Sequence, residues 1–291
     1  MRRLADVRTS RSAHQHISTS TRLTYSRVGE GAKVLLAFHG FGQSRMHWEE
    51  LAKVLASEYT TYSFDLFYHG ENLDNSPEQP LTKADWHASL QAFFAKEQIN
   101  TFSVLGFSLG ARFALATVEA FPDQTQALFL LAPNGISPNI WYATATHNSW
   151  TRWIFKAIVY HPKAFGLLAV VATALRLVHP KLIRFAQSQM DSSEKQHRLY
   201  QSWVNFRLLQ FDMASMAALL NQKQVYTEVF LGKYDRILAE KDVQSLLKRL
   251  AKPRLTILES GHGQLIEQLI RYIKSNRHGV LEQEDFPDKQ E

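Results

Sequence analysis

Cysteine is absent from the 291 residues. Disulfides, zinc–thiolate centres, iron–sulfur clusters and a thiol nucleophile are thereby excluded. The absence fits a reducing compartment, and the cytoplasm is the expected location. Long apolar runs are missing as well: the nearest, Phe165 to Leu175, falls short of the ~18 residues that cross a bilayer. The histidines show no H-E-x-x-H or comparable spacing, so neither a metal nor another cofactor is expected. Helix-turn-helix, finger and RNP patterns are lacking too, which argues against nucleic acid as a partner. The stretch Met1 to Arg27 has six arginines and one acid but no apolar core of a secretory signal. Residues 1–18 are therefore expected to be a disordered basic tail, in preference to a transit peptide.

Charge is present but unevenly placed. The formal charge is +6, yet residues 134–224 alone hold ten basic and three acidic side chains. Solvated helix faces are the favoured explanation, and an anionic substrate or an acidic membrane surface is also consistent.

Along the chain, a weakly alternating stretch, Thr19 to Val28, reaches Gly29-Glu30-Gly31 and suggests an opening strand and hairpin turn. The apolar run Lys33 to Phe38 reads as a strand buried on both faces, leading into His39-Gly40-Phe41-Gly42. A helix from about Trp48 to Ala56 and a strand from Thr60 to Leu66 follow. Thr82 and Asp85 then cap a helix over Trp86 to Lys96. Thr101 to Leu105 and Ala127 to Leu131 are further strands. From Ile136 to about Gln224 the pattern is helical and aromatic-rich. Alternation then resumes with a strand at Val225 to Leu231, a helix at Glu240 to Leu250, a strand at Arg254 to Leu258 and a helix at Gln264 to Ser275. This is an α/β pattern, with a mostly parallel central sheet and helices on both faces. The expected division is a core of 19–135 and 225–275, a helical segment 136–224 and an acidic tail 276–291.

Chemistry concentrates at three strand ends. Gly106-Phe107-Ser108-Leu109-Gly110 lies between a strand and a helix, the context in which a G-x-S-x-G serine is held above the sheet edge at a helix N-terminus. Asp235 follows one later strand and His262, in Gly261-His262-Gly263, follows the last. In a parallel sheet these ends share one edge, so the three can converge. Asp235 could instead be a helix N-cap. Asn134 occupies another place for the acid, but an amide has no charge with which to hold an imidazolium. His39, His69 and Asp65 read as structural.

These motifs resemble the α/β-hydrolase superfamily with a helical cap, over about Leu35 to Ile273. The resemblance implies Ser108 as nucleophile, His262 as base and then acid, and Asp235 as its orienting partner. It also implies an oxyanion hole from the backbone N–H groups of Phe41 and Leu109. The helical segment would then be a cap over the serine. Trp141, Tyr142 and Trp203 are candidates for lining the pocket, although most cap aromatics should form the cap's own core. The expected activity is serine-dependent hydrolysis of an ester, thioester or similar carbonyl compound with an apolar moiety, through an acyl-serine. A carbon–carbon bond hydrolase or lyase with the same triad, a membrane-surface acyltransferase and a non-catalytic ligand-binding protein are the alternatives. A small molecule is the expected partner; membrane contact is not favoured.

Overall fold

A computed structural model describes residues 23–72, 79–137, 140–161, 165–166 and 187–276. The expected tail over 1–18 and all but the first residue of the acidic tail lie outside these. The strands are β1 (Thr24–Val28), β2 (Lys33–Phe38), β3 (Tyr59–Asp65), β4 (Phe102–Phe107), β5 (Thr125–Leu131), β6 (Tyr226–Gly232) and β7 (Arg254–Leu258). They form one sheet in the order β1-β3-β2-β4-β5-β6-β7, parallel except for β1. The strands β2, β4 and β5 are mainly apolar, and every residue of β3 is buried although four of its seven are polar or charged, as fits strands covered on both faces.

The opening hairpin is corrected. β1 does not pair with β2 but runs antiparallel to β3, with Thr24 opposite Asp65 and Val28 opposite Thr61. The Gly-rich turn is tied instead to the end of the first helix, since Glu30 N–H donates to Ala56 O and Lys33 N–H to Glu58 O. β2 therefore enters the sheet on the far side of β3.

The helices α1 (Glu49–Val54), α2 (Lys83–Glu97) and α3 (Gly110–Ala120) connect the first five strands. The Thr82 cap is as expected: Asp85 N–H donates to its Oγ1, while the Asp85 carboxylate accepts from Thr82 N–H. Aromatic rings fill the space between these helices and the sheet. Phe38 stacks on Phe64 at 5.1 Å, and Trp86 meets Phe113 edge-on at 5.1 Å while its indole N–H donates to Thr117 Oγ1.

Between β5 and β6 lies a helical insertion containing α4 (Ile140–His147), α5 (Ser149–Tyr160), α6 (Ser193–Asn205) and α7 (Met213–Gln222). Its docking is specific. Asn205 accepts at its carbonyl from Leu81 N–H and donates from Nδ2 to the Tyr68 hydroxyl at 2.6 Å. Phe206 packs on Phe113 at 4.9 Å, and the Arg198 guanidinium lies 6.0 Å from the Phe41 ring. The insertion thus rests on loops at the carboxyl ends of β2 and β3 and on α3.

The expected helix at 240–250 is also corrected, to a 3₁₀ turn (Glu240–Asp242) and the single-turn α8 (Gln244–Leu247). Val243, Leu246, Leu247 and Leu250 are buried at helical spacing, which is the signal that the sequence carries. However, the Ser137 hydroxyl donates to Asp242 O at 2.7 Å and Leu246 N–H turns to Val243 O. Several N–H groups here close i→i−3 bonds, as in 3₁₀ turns, so a longer regular α-helix does not form. After β7 comes α9 (Leu265–Ser275), one residue shorter than expected.

Candidate active site

Chain order reverses between β2 and β4, which lie side by side in the sheet. A crevice opens outside the carboxyl ends of strands at such a point, and both the His39–Gly42 turn and Ser108 are there. Ser108 adopts φ 49, a left-handed conformation that costs a non-glycine residue on the order of 1–2 kcal/mol. Its backbone holds it there: Ser108 N–H donates to Leu131 O at 2.9 Å, and its carbonyl accepts from Ala111 and Asn134 N–H. Gly106 and Gly110 are required by close approach. A Cβ at 106 would lie 2.7 Å from Ala111 Cα, and one at 110 would lie 2.1 Å from Phe38 O.

The loops after β6 and β7 are joined by their backbones, Lys233 N–H to Leu258 O and Tyr234 N–H to Ser260 O. This brings Asp235 and His262 together although 27 residues separate them. His262 Nδ1 lies 2.6 Å from Asp235 Oδ2, and its Nε2 lies 3.1 Å from Ser108 Oγ. The buried Asp235 carboxylate can only accept, so the imidazole proton sits on Nδ1 and Nε2 faces the hydroxyl as a base. Asp235 Oδ1 accepts further from Ile237 and Leu238 N–H at 2.8 and 3.0 Å. Asp235 is therefore both a turn cap and a partner of His262, the two roles that the sequence set against each other. Burial alone would raise the Asp235 carboxyl, but the His262 hydrogen bond and charge and the two backbone N–H groups outweigh it and hold the group below its usual range.

Phe41 follows β2 in the turn beside His69, with ring centroids 5.3 Å apart, and Leu109 follows Ser108 directly. Gln43, which the sequence reading passed over, shapes the first turn: its Oε1 accepts from Gly40 N–H at 2.9 Å. Neither Phe41 N–H nor Leu109 N–H has an acceptor among the described residues. Leu109 stands at the N-terminus of α3, where the helix dipole favours negative charge. Among the described residues no three His, Asp or Glu side chains gather as a metal site would require.

Asn134 does not reach His262; its Oδ1 accepts from Arg112 Nε at 2.8 Å. Asp65 takes up Arg45 and the backbone N–H of Arg45 and Glu71. His39 is fully buried, donating from Nδ1 to Gly40 O and accepting at Nε2 from Leu66 N–H. Burial lowers His39 to about 4, and burial also lowers His69 well below its usual value. Between pH ~6.5 and ~4 the unfolded chain binds the His39 proton and the folded one does not, so stability falls as pH falls. Urea unfolding is expected to show a loss approaching ~1.4 kcal/mol per pH unit from His39 across that window, with His69 adding to it in the same direction. A midpoint that stays flat from pH 7 to 4.5 would contradict this assignment.

Of the three proposed lining residues, Tyr142 borders a cavity of about 180 Å³ with Arg112, Gly135, Ile136 and Phe211. Trp203 does not border this cavity; its ring stacks on Phe155 at 5.3 Å and lies 5.3 Å from the Tyr142 ring, while its carbonyl accepts from the Tyr142 hydroxyl. The Trp141 side chain lies outside the described residues.

The model of the alpha/beta hydrolase family matches residues 34–268, most of the chain. The chain belongs to the alpha/beta hydrolase family. A 115-residue stretch of this hydrolase is 32% identical to the dihydrolipoyllysine-residue acetyltransferase component of an acetoin cleaving system from Cupriavidus necator, covering 39% of this chain and 30% of that one. The hydrolase thus spans about a third of the length of the curated relatives it matches. Among solved structures, an esterase from Thermogutta terrifontis is similar with TM-score 0.63 and 19% identity, over 88% of this chain and 92% of that one. A meta-cleavage product hydrolase from Pseudomonas fluorescens is similar with TM-score 0.58 and 18% identity, over 87% and 92%. Among its described residues the hydrolase has no helix long and apolar enough to cross a membrane.

Proposed function

We propose that this hydrolase cleaves an ester, thioester or similar carbonyl compound with an apolar moiety through an acyl-serine at Ser108. The observation that carries the reading is the continuous Asp235, His262, Ser108 hydrogen-bonded chain, with spacings of 2.6 and 3.1 Å. Ser108 Oγ attacks the carbonyl carbon while His262 Nε2 takes its proton. Asp235 keeps the ring oriented and stabilises the imidazolium. The carbonyl oxygen becomes negative between the N–H groups of Phe41 and Leu109, which have no other acceptor to give up among the described residues. Collapse expels the alkoxide or thiolate, which takes the proton from His262. Water, deprotonated by His262, then releases the acid and restores Ser108. The helical insertion acts as a cap, since Asn205, Phe206 and Arg198 set it over the mouth of the crevice.

A fluorophosphonate probe tests the first step, because an activated serine displaces fluoride from its phosphorus. Labelling is expected for the parent protein and not for the Ser108→Ala or His262→Ala variants. A folded parent protein that takes no label would instead favour a ligand-binding role, and undiminished labelling of Ser108→Ala would place the reactive group elsewhere.

A further inference from the structure

Arg112 lies in the first turn of α3, four residues after Ser108, in a helix whose other members up to Val118 are all buried and uncharged. It is itself only 6% exposed. Three contacts fix its guanidinium. Nε donates to Asn134 Oδ1 at 2.8 Å, and one face lies 4.3 Å from the centre of the Tyr142 ring. The stem passes over Gly135, where a Cβ would come within 2.9 Å of Arg112 Cγ. Nη1 is left buried with no hydrogen-bond partner among the described residues. A buried cation with an unmet donor is costly, and proteins retain one where something supplies the missing anion.

The first part of the insertion supplies no such anion, since the sequence contains no Asp or Glu between Asp123 and Asp191, and Asp212, next to Phe211 of the cavity wall, is taken up by Ser215. What does adjoin Arg112 is space. The cavity of about 180 Å³ is bordered by Arg112, Gly135, Ile136, Tyr142, Leu209 and Phe211 among others, and is far larger than the ~10–15 Å³ that admits a water. Its walls are mainly apolar, with Ser137 and Gln210 as uncharged polar members and Arg112 as the single cation, which suits a short hydrocarbon chain ending in a carboxylate that a guanidinium can bind through two parallel hydrogen bonds. Ser108 does not itself line this cavity, but one residue ties the two sites together: Asn134 N–H donates to Ser108 O at 3.0 Å and its Oδ1 accepts from Arg112 Nε at 2.8 Å, so a short chain held at Arg112 can reach toward Ser108.

We infer that this cavity binds a carboxylate carried by the substrate, so that the preferred ester is the half-ester of a short dicarboxylic acid. The inference deepens the serine hydrolase reading and rests on it for the word substrate, but not for the binding site. The Ser108→Ala protein keeps an ester intact, so binding is measured without turnover and whether or not Ser108 reacts. Calorimetric titration of that protein is expected to show monomethyl glutarate binding at least tenfold more tightly than methyl butyrate. Adding Arg112→Met should abolish the preference. Arg112→Lys should retain part of it, since the charge remains without the planar fork, and this variant keeps the comparison readable if the methionine variant does not fold. Lys252→Met, at an exposed site, should leave the preference intact. Equal binding of the two probes, or a preference that survives Arg112→Met in a protein with the parent circular dichroism spectrum, would overturn the site. With the parent enzyme, free glutarate should raise the KM for p-nitrophenyl butyrate at constant kcat; a fall in kcat at constant KM would make the carboxylate an effector and overturn the substrate assignment.

Discussion

The Ser108→Ala protein is expected to fold like its parent and to hydrolyse an activated ester at least ~10⁴-fold more slowly. Stability should change little, because the left-handed backbone at position 108 is imposed on alanine as on serine, and the bonds to Leu131, Ala111 and Asn134 are made by the main chain. Only the hydroxyl 3.1 Å from His262 Nε2 is lost. His262→Ala should cost about as much, and the double variant little more than either, since the two groups act on one proton. Additive losses in the double variant would mean that they work independently. Asp235→Asn is the informative partner to these. It keeps the shape but removes the charge that fixes Nδ1–H, and a drop of ~10⁴ is the expected consequence of the wrong tautomer.

Gly110→Ala is expected to damage both stability and activity, although it adds one methyl group. That methyl would lie 2.1 Å from Phe38 O, 2.5 Å from Phe38 C and 2.7 Å from His39 O. All three are backbone atoms at the buried carboxyl end of β2, so no side chain can rotate away, and overpacking of this kind costs about 3 kcal/mol. Relief must come from moving α3 off β2, which carries Ser108 and Leu109 with it. A displacement near 1 Å is enough to lose ~100-fold in turnover. Gly263→Ala provides the contrast, having nothing within 4 Å of the added methyl, and should shift stability by no more than about 0.5 kcal/mol. Thermal unfolding beside kcat/KM measures both; parent-like values for Gly110→Ala would show that the elbow tolerates a Cβ.

The features legible in the sequence were those fixed by neighbours in the chain. Gly106 and Gly110 around Ser108, the Thr82 and Asp85 cap, and Asp235 and His262 just past strand ends are local patterns, and parallel pairing suffices to gather the last two beside the first. What escaped depends on segments far apart. The hairpin expected at Gly29–Gly31 failed because β1 finds its partner in β3, some 35 residues on, and a turn signal does not say which strand pairs. The helix at 240–250 has the right buried spacing but closes through i→i−3 bonds, as 3₁₀ turns do. Trp203 and Tyr142 look alike as aromatic residues at helical positions and pack on each other; only the fold decides that Tyr142 also covers a guanidinium. Arg112 did leave a trace, as the one cation in the helix directly after the serine, among apolar neighbours from Gly110 to Ala116. Its meaning became visible only when Asn134, Gly135 and Tyr142 arrived from elsewhere.

The short stretch after β5 has a consequence for selectivity. Leu131 and Asn134 hold the main chain of Ser108, and Asn134 also holds Arg112 Nε. The nucleophile and the Nε of the cation are thus both referenced to the residues after β5 and to one turn of α3, while Tyr142, on α4 of the insertion, covers one face of the guanidinium. The pair works as a fixed gauge for the length of the molecule laid between them.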